Sequence, residues 1–131
     1  MYDKYIELKN KNLDSVVMIK VGNFYHIYDK DIVIINYLLK YKIIDNKIGF
    51  PVSSLNKVIG KLKKEKINYY IDDANFYKFD DNKYQESYET SKSYYELSLE
   101  IDNIYNYLMN NIERKYIKRL ITKIWEVIDE G

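Results

Sequence analysis

The sequence predicts an α/β (α+β) domain, in which a central mixed β-sheet is flanked by helices, and a C-terminal helical extension that follows it. Two observations support this prediction. Up to about residue 80, β-branched or aromatic runs alternate with segments of helical periodicity, in the order helix, strand, strand, helix, strand, helix, strand, strand. From residue 86 to residue 130 there is neither glycine nor proline, and apolar residues recur every three or four positions. We therefore expect a domain over residues 1–82 and a helical extension over residues 83–131.

The first half of the domain is predicted from five consecutive patterns. Residues 2–11 (YDKYIELKNK) have the spacing of a short amphipathic helix, and DSVVMIKVG is typical of a buried strand over residues 15–21. Gly22 ends that strand, and FYHIYD is the next one. DIVIINYLLKYK is apolar on all sides, which predicts a heavily buried helix with Asp29 or Asp31 as its N-cap. KIIDNKIGF is then a strand or strand pair that ends at Gly49.

The second half begins at the only proline of the chain. In FPVSSLNKVIGKLKKEK, Ser53 and Ser54 are candidate helix caps, and apolar residues from Leu55 onward form a stripe at helical spacing. INYYIDD and NFYKFD are predicted strands around a turn at Asp72–Asn75.

The extension is predicted to be either one long helix or two helices joined near Asn110-Asn111, and we favour a helical hairpin or a slightly broken pair of helices. Its apolar stripe needs a partner, which is either the sheet domain or another chain. Trp125 is explained most simply by packing, although an exposed tryptophan would indicate a protein interface.

Composition excludes several classes of protein. Hydrophobic residues at 47 % and charged residues at 31 % argue against a disordered chain, and no apolar run reaches the roughly 18 residues of a membrane span. There is no cysteine and one histidine, so we expect no metal site and no cofactor. No secretory signal is visible, which favours a cytoplasmic protein. No arrangement of residues suggests catalysis, and a net charge of +1 argues mildly against nucleic-acid binding.

The segment VGNFYHIYDKD contains the most unusual spacing. Phe24 and His26 are two positions apart, so on a strand they point to one face while Tyr25 and Ile27 point to the other. From the residues alone, Phe24 is either a core aromatic or an exposed functional one.

Two motifs within residues 2–80 resemble the N-terminal mismatch-recognition domain of the MutS DNA mismatch-repair proteins. That domain has a Y-x-x-L-K helix, an apolar strand and a G-D-F-Y-E motif before an acidic helix start, as in YIELKNKNLDSVVMIKVGNFYHIYDKD. The second motif, IGFPVSSLNKVIGKLKKEKINYYIDD, is similar to the family's G-[IF]-P turn, helix and strand.

The resemblance implies a role for Phe24 and for His26. The family's phenylalanine wedges into the minor groove and stacks on a mispaired base, and the carboxylate two residues later binds that base. By position, Phe24 is the wedge and His26 replaces the carboxylate, while Asn23 replaces the family's aspartate. Because these changes remove negative charge from the groove, we expect them to favour general nucleic-acid binding over discrimination of mismatches.

The resemblance also implies a recognition module without ATPase activity, because the chain has no G-x-x-x-x-G-K-[ST] phosphate loop. Similar small proteins are encoded beside reverse transcriptases in some retroelements, which suggests an accessory role on mismatched DNA or an RNA–DNA hybrid. The alternative is a protein-interaction adaptor that keeps the fold without binding nucleic acid. Either way, the C-terminal helices would join the chain to itself or to a protein partner.

Three further residues are candidates for contact with nucleic acid. Lys20 can meet a phosphate, although we favour an ordinary surface lysine. Ser53 and Ser54 are first of all helix caps, and the same helix N-terminus can receive a phosphate.

Overall fold

The computed structural model describes residues 1–72 and 75–131, and its elements follow the predicted order. The domain contains α1 (Tyr2–Lys11), β1 (Val16–Val21), β2 (Phe24–Tyr28), α2 (Asp31–Leu39), β3 (Lys47–Pro51), a 3-10 helix (Val52–Ser54), α3 (Leu55–Lys64), β4 (Tyr69–Ile71) and β5 (Phe76–Tyr77). Two longer helices, α4 (Tyr84–Asn111) and α5 (Arg114–Glu130), follow.

The five strands form one mixed sheet in the order β3-β2-β1-β4-β5. Strand β1 is parallel to β4, and the three other pairs are antiparallel. The predicted α/β fold with a central mixed sheet is therefore confirmed.

Helices cover the two faces of the sheet unequally. The main core lies on one face, where Tyr25, Ile27 and Phe50 pack with the apolar side chains of α2 and α3. On the other face, α1 places Tyr5 against Ile19 and their neighbours in a smaller cluster. The part of this second face near Phe24 stays open, since the Phe24 side chain is exposed.

Asp31 joins the helices to the sheet and does not cap α2 as expected. The N-cap position of α2 is Lys30, where no side-chain cap bond forms, and Asp31 is fully buried. Its carboxylate accepts hydrogen bonds from the hydroxyls of Tyr5 and Tyr84, both at 2.7 Å, from the Lys9 ammonium at 2.8 Å and from the Val17 amide at 3.0 Å. Four donors, one of which is a cation, offset the cost of burying this charge.

Asp29, the other expected cap, lies outside the helix. It accepts a hydrogen bond from the Tyr2 hydroxyl at 2.8 Å. Its φ of +50° takes the chain through a left-handed turn before α2 begins.

Strand β3 continues past Gly49, where we expected it to end. Pro51 has an extended backbone and pairs with Phe24 across the sheet. Because β3 is an edge strand, its last residue can be a proline without breaking the sheet.

The turn expected at Asp72–Asn75 includes Asp73 and Ala74, which lie outside the described residues. The strands on either side of it, β4 and β5, pair as predicted.

The predicted pair of C-terminal helices is confirmed, with a junction close to the expected position. Only Ile112 and Glu113 separate α4 from α5, and Glu113 has an extended backbone. Within the described residues, no helix is both long and apolar enough to span a bilayer.

The chain forms two compact units, Met1–Tyr95 and Glu96–Gly131, and the division falls within α4. In the first unit, Tyr84 and Ser91 of α4 are buried, and Tyr88 and Tyr95 pack against the main core. The boundary expected at residue 82 stays a prediction.

Truncation tests where the independently stable domain ends. A chain that ends at Asn82 loses Tyr84, leaves the buried Asp31 carboxylate with one donor fewer and should be less stable than a chain that ends at Tyr95. In the full chain, Tyr84→Phe should lower the free energy of unfolding by about 1–3 kcal/mol, as measured by urea denaturation. Tyr107→Phe, at an exposed position of the same helix, is the control and should have little effect. Equal stability of the two truncated chains would contradict this account.

Candidate nucleic-acid interface

Phe24 lies beside the tight turn that joins β1 to β2. The turn consists of Gly22 and Asn23, and Val21 pairs with Phe24 across it. Gly22 has a φ of +62°, a backbone conformation that residues with a side chain rarely adopt. The amide of Val52 donates a hydrogen bond to the Asn23 carbonyl at 2.9 Å, which holds the turn against the 3-10 helix.

The alternation along β2 places Phe24 and His26 on one face of the sheet. Tyr25 and Ile27 are buried on the other face, with exposed fractions of 5 % and 0 %. Phe24 is 48 % exposed, whereas His26 is half-buried. The sheet therefore presents an aromatic ring to solvent although the next residue of the strand is in the core.

His26 lies against Tyr28, two residues further along β2, and against Gly49, its pairing partner in β3. Its Nδ1 lies 3.2 Å from the Tyr28 hydroxyl, in a hydrogen bond whose direction depends on the imidazole tautomer. A Cβ added at Gly49 would lie 3.4 Å from Cδ2 and 3.6 Å from Nε2 of His26, so the ring lies close to the Gly49 backbone. Burial lowers the pKa of His26, and Lys47 and the N-terminal amine lower it further. The imidazole is therefore neutral at neutral pH.

A groove of about 570 Å³ opens beside Phe24 and His26. It is formed by β2, β3, the segment before β3 and the end of the 3-10 helix, through Phe24, His26, Tyr41, Lys42, Ile44, Lys47, Gly49, Phe50, Pro51 and Ser54. These ten residues include two lysines and no acidic residue, and most of the others are aromatic or aliphatic. Such a surface can stack against flat rings and contact phosphates at its rim.

Lys42 and Lys47 are groove residues that sequence reasoning missed. A signal for Lys47 was present, because KIGFP alternates in the same way as β2 and places Lys47, Gly49 and Pro51 together on the face of Phe24. No such signal exists for Lys42, since this residue lies outside any strand or helix.

The structure does not bring Lys20 together with Phe24. Lys20 pairs directly with Tyr25, so its side chain leaves the sheet on the opposite face, where it is exposed.

The two serines differ in position, and Ser54 alone lines the groove. Ser54 immediately precedes α3 but makes no side-chain cap bond, and Ser53 is exposed within the 3-10 helix. The cap expected here is replaced by a backbone bond, because the amide of Leu55 donates to the Val52 carbonyl.

Across residues 1–72 and 75–131, no three His, Asp or Glu side chains are grouped so that they could hold a metal ion.

Comparison with known proteins identifies a family. No curated protein is similar enough to match the chain. The sequence model of the family described as MutS domain I matches residues 1–74, which are more than half of the 131 residues. Together with the mixed sheet and its flanking helices, this match shows that the chain belongs to the MutS domain I family.

Proposed function

We propose that this protein is a nucleic-acid-binding module that recognises mismatched or otherwise distorted duplex, without ATPase activity. Membership in a family of DNA-binding, mismatch-recognition domains supports the general function. The observation that carries the proposal is the half-exposed Phe24 ring, which stands on an open part of the sheet beside a groove lined by lysines.

Phe24 is the proposed wedge. Inserting an apolar side chain between base pairs costs a few kcal/mol of stacking, and the cost is lowest where pairing is already defective. The short turn and the pairing with Pro51 hold the Phe24 backbone in place, so little ordering is needed on binding.

His26 is the proposed contact to a base edge. In a neutral imidazole one ring nitrogen donates a hydrogen bond and the other accepts one. Because Nδ1 contacts the Tyr28 hydroxyl, Nε2 is the nitrogen that would contact the base. Because the histidine carries no negative charge, it does not repel the phosphate backbone as the family's carboxylate does. We therefore infer weaker discrimination between mismatched and paired duplex.

Phosphate contacts are assigned first to Lys42 and Lys47, because both line the groove. Ser54 is placed to donate a hydrogen bond there, and Ser53 is its exposed neighbour. Lys20 belongs to the same proposal only as a more distant charge, since it lies on the opposite face.

A protein-interaction adaptor is the second candidate, and a specific observation favours it. The net charge is only +1, and the C-terminal helices expose many large apolar side chains. An adaptor would show no salt-sensitive binding to nucleic acid, whereas the first proposal requires affinity to fall as salt rises, because the release of counterions then gains less free energy. A cytoplasmic location and an accessory role beside a reverse transcriptase remain finer parts of the first proposal.

Replacing the Phe24 ring tests the wedge. Phe24→Ala should weaken binding to a labelled duplex with a mismatch or bulge by about 1–3 kcal/mol, or roughly 5- to 150-fold in Kd, because a stacking contact is lost. Fluorescence anisotropy at several salt concentrations measures it, with circular dichroism to verify folding. Phe76→Ala is the matched control, since Phe76 is also exposed, on β5 and away from the groove. Equal affinity of Phe24→Ala and the unmodified protein would rule out the wedge.

Restoring an acid tests the proposed role of His26. His26→Glu should weaken binding to fully paired duplex more than binding to mismatched duplex, because the carboxylate repels phosphates but can accept a hydrogen bond from an exposed base. The ratio of the Kd for fully paired duplex to the Kd for mismatched duplex should therefore rise. His26→Gln, which adds no charge, is the control and should change the ratio little. A ratio that His26→Glu leaves unchanged or lowers would refute this role.

A further inference from the structure

The distal half of α4 and the first half of α5 carry opposite charge. Residues 93–113 include four acids, Glu96, Glu100, Asp102 and Glu113, and no lysine or arginine. Residues 114–123 include five bases, Arg114, Lys115, Lys118, Arg119 and Lys123, and no acid. The last residues of α5 are acidic again, with Glu126, Asp129 and Glu130.

Both helices also carry an apolar seam with the spacing of a coiled coil. On α4 the seam consists of Leu97, Ile101, Ile104 and Leu108, which alternate at intervals of three and four residues. On α5 it consists of Ile117, Leu120, Ile121, Ile124 and Ile128. The distal half of α4 and most of α5 can therefore each bury one side.

Neither seam is buried within the chain. No residue from Glu96 to Gly131 is buried, although both helices are well formed. Ile101 and Ile104 are both 58 % exposed, and Ile124 is 49 % exposed. An apolar surface of this extent indicates an interface.

Charge argues against closing the two seams on each other as a hairpin of one chain. In a hairpin that turns at Ile112 and Glu113, residues equally far from the turn face each other. The acidic stretch 96–102 would then lie along residues 123–129, where Lys123 would face Asp102, but Asp129 would face Glu96 and Glu126 would lie beside Glu100. The basic start of α5 would lie along residues 106–111, which carry no charge.

We propose that the seams are covered by a second copy of this chain in an antiparallel, two-fold symmetric dimer. The acidic stretch of α4 in each copy lies along the basic start of α5 in the other copy, so that the favourable contact occurs twice. This inference does not depend on nucleic-acid binding.

Opposite charges select this arrangement, and two of the four seam residues of α4 meet apolar residues in it, whereas Ile104 faces Arg114 and Leu108 faces Asn110. Relative to the hairpin, the dimer shifts the pairing by seven residues, which is one repeat of both seams. Ile101 of one copy then faces Ile117 of the second copy, and Leu97 faces Ile121. Glu100 lies beside Lys118, where opposite charges select this partner and this orientation.

Molar mass in solution tests the proposal with the full chain. Size-exclusion chromatography with light scattering should give about twice the 15.9 kDa of one chain. Ile101→Asp should give a monomer, because the charge falls in the seam. Leu99→Asp should remain dimeric, because Leu99 is similarly exposed but lies on the opposite side of α4. The proposal is overturned if the unmodified chain stays monomeric at concentrations up to about 100 μM, because the Kd of a dimer of this kind should lie below that concentration.

Charge reversal tests the acid-to-base pairing separately. Glu100→Lys with Asp102→Lys, and Lys118→Glu with Arg119→Glu, should each lower self-association, because like charges then meet at both contacts. An equimolar mixture of the two variants should restore a dimer that contains one copy of each. A mixture that stays monomeric, or variants that each dimerise as the unmodified chain does, would overturn the pairing. Circular dichroism of each variant shows whether the helices are retained.

Discussion

The buried carboxylate of Asp31 is the interaction on which the arrangement of the first unit depends. It binds α1 through Tyr5 and Lys9, β1 through the Val17 amide and α4 through Tyr84. Burial and the nearby Asp31 charge raise the pKa values of both tyrosines, so their hydroxyls stay protonated as donors. Removing any one donor leaves the buried carboxylate charge incompletely compensated. The four donors are therefore required together.

This arrangement explains why one region of the sheet is free to bind. Helices α2 and α3 cover the core face, whereas α1 covers only part of the other face. Near the turn between β1 and β2, Phe24 lies beyond that cover, and β3 extends the open surface by pairing with β2. The same alternation that buries Tyr25 thus exposes Phe24, so stability and binding use opposite faces of one strand.

Periodicity predicted the order of the elements and the mixed sheet, because apolar spacing is a local property of the chain. It did not predict Asp31, since an aspartate at the start of a helix is usually a cap and its partners Lys9 and Tyr84 are distant in sequence. For the candidate interface, the alternation in β2 gave the shared face of Phe24 and His26. The alternation of KIGFP carried a signal for Lys47, whereas Lys42 required the tertiary structure, because only pairing between β2 and β3 brings that segment to Phe24.

Amide NMR of the labelled protein, titrated with a mismatched duplex, is the most direct test of where nucleic acid binds. The account predicts that the largest shift changes occur in residues 21–26 and 41–54, which form the turn, the open strand face and the groove. Residues of the main core, such as Ile34 and Ile35, should change little. Changes confined to Glu96–Gly131, or no changes at saturating duplex, would contradict the account.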